Sequence, residues 1–137
     1  MKPYHHKVNY YETDKMGVTH HSNYFRFMEE ARIDYMDQMG MGYDKMEEVG
    51  IISPVVTIEG HYKKTTTFPD EIIIEVIPEK CLNFKVVLNY IMKVNDEIVF
   101  LGKSTSCFLN KEGKPVNLEK TFPEFHKMII DNLPVSK

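Results

Sequence analysis

The spacing of apolar positions changes twice along this chain, and each change marks a different element. Residues 4–12 place Val8 and Tyr10 at alternate positions, the period of a strand with one face on a core. Thr13 to His21 is polar and contains Gly17, which predicts a loop bent at the glycine. From Ser22-Asn23, both good N-cap types, the period lengthens to that of a helix. Tyr24, Met28, Ala31 and Tyr35 fall on one row, and Phe25, Arg32 and Met36 on a neighbouring one. Phe27 and Ile33 lie off both rows, so the broad apolar surface predicts a helix largely enclosed by protein. Gly40 and Gly42 stop it near Met39, and Tyr43 to Val49 reads as a short second helix.

From Ile51 onward the period is two. Val56, Ile58 and Tyr62 mark one strand, which ends in Lys63 to Thr67 and a turn at Phe68-Pro69-Asp70. Glu71 to Ile77 is β-branched on both faces and is expected to close at Pro78. Phe84 to Val94 alternates apolar with polar residues, and Asn95-Asp96 occupies the place of a two-residue hairpin turn. Ile98 to Leu109 is a long final strand, followed by a turn at Asn110 to Pro115 and a closing helix within Pro123 to Leu133. One long helix followed by about four antiparallel strands is an α+β plan, with short connections favouring a meander of sequential neighbours. A curved sheet around the helix would give its apolar face a home, and pairing of sheets between subunits would protect their edges.

Composition narrows the class. The 137 residues suit one domain, 1–137, with enough chain for a real core. A net charge of −3 offers no basic face for nucleic acid. Cys81 and Cys107 match no metal or disulfide spacing and read as small strand residues in a reducing compartment. No apolar run approaches a membrane span, and Met1-Lys2-Pro3-Tyr4 does not begin a signal peptide, so a cytoplasmic protein is expected.

The chemistry gathers between residues 12 and 35. Asp14 stands on a loop just before a helix start, where unpaired N–H groups and a positive dipole end favour developing negative charge. Such an acid could attack, or direct water at, a carbonyl held by those donors. By itself Asp14 also reads as an Asx-turn residue. His20-His21, with His5-His6 upstream, raises a metal site, but adjacent histidines usually point apart and no partner stands at ligand spacing. No metal is expected.

Asp14-Lys15-Met16-Gly17-Val18-Thr19-His20-His21-Ser22-Asn23-Tyr24, followed by Phe27-Met28-Glu29-Glu30-Ala31-Arg32, resembles the signature of the 4-hydroxybenzoyl-CoA thioesterase family. It is most similar to the branch associated with Tol-Pal gene clusters. The resemblance implies a hotdog fold, a curved antiparallel sheet wrapped around a long central helix. It implies homodimers with a continuous sheet, assembled in pairs as homotetramers, with active sites at the subunit interface. It further implies cofactor-free hydrolysis of an acyl-CoA thioester. By position Asp14 matches the family's catalytic carboxylate, and His21 the residue whose backbone N–H polarises the thioester carbonyl.

Gly17, Asn23, Tyr24, Thr57 and Lys80 complete the candidate site. Gly17 is expected to act through conformation, and Asn23 and Tyr24 as cap and core residues or as supports of the site. Val55-Val56-Thr57 would line the acyl pocket. Lys80 alone stands where some relatives carry a basic cluster for CoA, with Lys63 and Lys64 as alternatives. Glu29 and Glu30 are candidates because another hotdog branch carries its carboxylate on the helix; Glu30 is expected to support the helix through Asn or Arg. The Met-rich stretch Met36, Met39, Met41 and Met46 reads as core filling. Two other functions fit the same fold: a hydroxyacyl thioester dehydratase or hydratase, which needs a proton-shuttling His paired with an acid, and a non-catalytic module binding acyl-CoA or acyl carrier protein.

Overall fold

A computed structural model describes residues 1–134; the remainder of the expected domain, 135–137, lies outside the described residues. The elements in chain order are β1 (Tyr4–Lys7), a 3-10 turn at Tyr10–Glu12, α1 (Asn23–Gln38), α2 (Tyr43–Val49), β2 (Ile51–Ile52), β3 (Val55–Tyr62), β4 (Glu71–Leu82), β5 (Lys85–Val94), β6 (Glu97–Cys107), β7 (Leu109–Asn110), α3 (Leu118–Thr121) and α4 (Pro123–Asp131). Five strands form an antiparallel sheet in the order β1-β4-β5-β6-β3, and β2 pairs with β7 as a separate ribbon.

The core lies between α1 and one sheet face. Alternation along β5 buries Val86, Leu88, Tyr90 and Met92, and the helix meets them with Tyr24, Phe27, Met28, Ala31 and Tyr35. Two glycines let the layers approach. Gly60 of β3 and Gly102 of β6 face each other in register. A Cβ on Gly60 would come within 2.3 Å of Phe100 Cζ, and one on Gly102 within 2.9 Å of Met28 Sδ. The expected hairpin turn at Asn95-Asp96 joins β5 to β6, with positive φ at both residues as a type I′ turn requires.

The structure departs from the sequence reading at four places. The first strand stops at Lys7, because Asn9 and Glu12 form a reciprocal cap that pulls the chain into the 3-10 turn. Val8 is buried while Tyr10 is 78% exposed, so the two do not share a face. β4 does not close at Pro78 but continues to Leu82. The pairing with β5 shifts between Pro78 and Lys80, and that bulge accommodates a residue lacking an N–H. β3 pairs with β6 rather than with β4, its successor in the chain. Finally, α1 is enclosed on one face only, leaving Phe25 and Ile33 exposed. The same side of the molecule carries β3, whose Val55, Val56, Ile58 and Tyr62 are also exposed.

Candidate active site

The loop between the 3-10 turn and α1 is closed at its neck and anchored to the sheet. Thr13 and Thr19 form an isolated antiparallel bridge. Thr19 N–H donates to Thr66 O at 2.8 Å, and the Thr67 hydroxyl to Gly17 O at 2.6 Å. Within the loop, Asp14 N–H bonds Val18 O at 2.8 Å and Gly17 N–H bonds Asp14 O at 3.0 Å. Gly17 sits at φ +82 with nothing within 4 Å of a Cβ placed there, so the backbone conformation, not space, requires glycine.

Asp14 is half-buried, and its Oδ1 accepts N–H groups from Met16 at 2.8 Å and Val18 at 3.4 Å. This is the Asx-turn geometry, and it orients the carboxylate while leaving Oδ2 without a hydrogen-bond partner among the described residues. Asp14 stands inside the neck and His21 just outside it, at the entry to α1.

The entry is a turn in which Asn23 N–H bonds His20 O at 3.0 Å and Tyr24 N–H bonds His21 O at 3.3 Å. Ser22 supplies no side-chain cap and the first turn of α1 holds no acidic residue. The His21 N–H has no acceptor among the described residues. An unpaired donor at the positive end of a 16-residue helix is a suitable place for a carbonyl oxygen that gains charge. The His21 carbonyl is fixed from the other side by the Tyr62 hydroxyl, which donates to it at 2.8 Å.

The histidines are arranged otherwise than adjacency suggests. The His20 and His21 rings stack at 4.3 Å between centroids instead of pointing apart. The His20 Nδ1 bonds the Ser22 hydroxyl at 2.8 Å, which holds one ring of the stack. No group of three or more His, Cys, Asp or Glu suited to a metal ion occurs among the described residues.

Asn23 and Tyr24 act as supports. Asn23 is buried and its Nδ2 donates to Glu12 O at 2.8 Å. The Tyr24 hydroxyl shares a 2.9 Å hydrogen bond with Thr66, which in turn bonds Thr19 at 2.6 Å. Its ring stacks on Phe100 at 5.0 Å, and burial pushes its phenol upward, so it stays neutral.

The remaining candidates are not gathered at the loop. Thr57 is exposed on β3, five residues before Tyr62. Lys80 lies nine residues beyond Glu71 on β4, about 30 Å of strand away from the end that meets the loop. Within one chain neither joins Asp14. Lys64 is already paired with Glu97. Glu29 lines a cavity of about 350 Å³ between α1 and the sheet, together with Phe25, Arg32, Val55, Ile58 and Tyr90. Glu30 is engaged not by Asn or Arg but by the Tyr4 hydroxyl at 2.8 Å and His6 Nδ1 at 3.1 Å. Met36, Met39 and Met41 are buried as core filling, and Met39 and Met41 also border a cavity of about 470 Å³ beside α3 and α4. That cavity lies at the far end of α1 from the Asp14 loop.

Sequence reasoning gave Glu12 and Tyr62 no part in the site and weighed His6 only as a metal ligand. The Asn9-to-Glu12 spacing of a capping box was the signal available for Glu12. Nothing in the sequence signalled that Tyr62, some forty residues downstream of His21, reaches its carbonyl.

The profile of the thioesterase-like superfamily matches residues 8–130. The chain is 34% identical over 122 residues to "Putative acyl-CoA thioesterase YneP" of Bacillus subtilis (strain 168), covering 88% of each chain. The crystal structure of a DHNA-CoA thioesterase from Staphylococcus aureus superposes with a TM-score of 0.87 at 32% identity, covering 95% of this chain and 89% of that one. A second Staphylococcus aureus protein, solved in complex with CoA, gives a TM-score of 0.88 at 11% identity, covering 98% and 87%, and shares the fold alone.

Proposed function

The chain belongs to the thioesterase-like superfamily with its hotdog fold, and from that premise we propose that it hydrolyses an acyl-CoA thioester to a free carboxylic acid and CoA. The observation that carries this reading is the pairing of an oriented carboxylate, Asp14, with an acceptor-free N–H, His21, on opposite sides of one closed loop neck. The thioester carbonyl oxygen accepts from the His21 N–H, and negative charge gathers there as the carbonyl carbon becomes tetrahedral. Asp14 either attacks that carbon, forming a mixed anhydride with loss of CoA thiolate, or takes a proton from the attacking water.

Several observations bear on the rivals and the finer placement. A dehydratase or hydratase needs a histidine free to shuttle protons; His6 is paired with acids, but it is 8% exposed and both ring nitrogens are occupied. Burial pushes the Cys81 thiol upward, away from nucleophilic use. The finer family reading, 4-hydroxybenzoyl-CoA thioesterases near the Tol-Pal-associated branch, rests on the Asp14-to-Tyr24 motif and the Phe27-to-Arg32 segment that follows it. The acyl group enters the 350 Å³ cavity beside α1. The names of the relatives, an acyl-CoA thioesterase and a DHNA-CoA thioesterase, leave the acyl group open and bring CoA esters into consideration. Lys80 and Thr57 belong to the site only if a second copy supplies them.

The test is thiol release across a panel of aliphatic and hydroxyaryl CoA esters. Asp14→Asn is expected to lower kcat/KM by about a thousandfold with an unchanged melting temperature. Near-wild-type turnover in that variant would sink the assignment. Single turnover in ¹⁸O-water identifies the nucleophilic role if label enters the Asp14 side chain, since that requires water to open the anhydride at the Asp14 carboxyl carbon.

A further inference from the structure

One residue outside the loop bonds the chain on both sides of His21. The Glu12 carbonyl oxygen accepts from His20 N–H at 2.8 Å and from Asn23 Nδ2 at 2.8 Å, so His21 is bracketed by two bonds to the same atom. Both lone pairs of that carbonyl are thereby used. Glu12 is in turn held by its side chain. Its Oε1 accepts from Asn9 N–H at 2.7 Å and Asn9 Nδ2 at 3.3 Å, and it faces His6 Nε2 at 2.9 Å.

His6 connects this anchor to the body of the helix. Its ring packs on Phe27 at 4.1 Å between centroids, and its other nitrogen faces Glu30 of α1 at 3.1 Å. Glu30 also takes the Tyr4 hydroxyl at 2.8 Å. On the adjacent strand β4 the residue directly opposite His6 is Ile72, which brings no charge. A link therefore runs from Glu30 through His6 and the Glu12 side chain to the Glu12 carbonyl, and from there to the helix entry.

We infer that Glu12 is a positioning residue that aims the His21 N–H, with His6 and Glu30 tying it to α1. This rests on the thioesterase reading of the Asp14 loop. Aim matters more to the transition state than to the bound ester, because the donor interacts most strongly once the oxygen carries charge. Loosening the link should therefore reduce kcat while leaving KM nearly unchanged.

The experiment measures kcat and KM for thiol release, well below each melting temperature, in the wild type, Glu12→Gln, His6→Gln and the double variant, with Asp14→Asn as the chemical control. His5→Gln is the structural control, since His5 Nδ1 pairs with Glu71 at 2.6 Å on the exposed face of β1 without touching the loop. Glu12→Gln and His6→Gln are each expected to lower kcat about tenfold with KM within about twofold. The double variant should fall no further than the worse single, because both cut one link. His5→Gln should match the wild type. A kcat within twofold of wild type in folded Glu12→Gln, or an equal fall in His5→Gln, overturns the inference and leaves the function standing. Absence of Asp14-dependent thiol release in the wild type overturns both.

Discussion

Two phenols, Tyr4 half-buried and Tyr35 buried, give the molecule a measurable alkaline limit. Tyr4 is pushed up to about 12, first by burial and then by its hydrogen bond to Glu30 and the charges of Glu30 and Asp34. Tyr35 is pushed to about 12 by burial alone, its hydroxyl lacking any partner among the described residues. In the unfolded chain both titrate near 10.0. A group raised on folding contributes stability that is whole below pH 10 and disappears as pH rises through the folded value. Urea unfolding of wild type and Tyr4→Phe should therefore differ most below pH 10 and converge towards pH 12; a constant difference would contradict it. At this scale Asp14 and Gly17 were visible because an acid and a glycine in a polar loop before a helix are local signals, whereas His21 was reached through the family motif. Glu12 and His6 stayed hidden because their role comes from side chains meeting across β1, the 3-10 turn and α1.

The helix and the sheet can pack closely because β3 and β6 each give up a side chain at the same register. Gly60→Ala would drive a Cβ into the ring of Phe100, which is fully buried and itself stacked on Tyr24. We expect that substitution to cost about 1–3 kcal/mol, read as a shift of the urea midpoint at constant m-value; no shift would show that Phe100 has room to turn. The elements themselves were legible wherever periodicity was strong: α1, α2, β5 and the Asn95-Asp96 turn stand where the pattern put them. The errors came where a local contact outweighed the pattern. The Asn9–Glu12 cap ended β1 early, and the bulge let β4 pass through Pro78. The broad apolar surface of α1 was correctly seen, yet the sheet of one chain covers only part of it.

That uncovered part argues for assembly. β3 is one edge of the sheet, every one of its residues except Gly60 is exposed, and Phe25 and Ile33 of α1 stand exposed as well. An apolar edge strand left open invites pairing, and a second copy of this chain joining edge to edge would continue the sheet. We propose a homodimer built this way, pairing further into a homotetramer, in place of a lone 16.1 kDa species. Val56→Lys should shift sedimentation towards the monomer, and a wild type that already sediments at monomer mass would refute the assembly. Edge position was not legible beforehand, because alternation reveals that a strand exists but not which strand it will lie beside. Its position has a temporal consequence. β4, β5 and β6 join through short turns and can form as local hairpins, whereas β3 waits for β6, whose paired residues lie about forty or more positions later in the chain. Contacts so distant in sequence are expected to form late on the folding pathway. The strand through which two copies would meet is then among the last to dock, so chains should recognise one another only after each has largely folded.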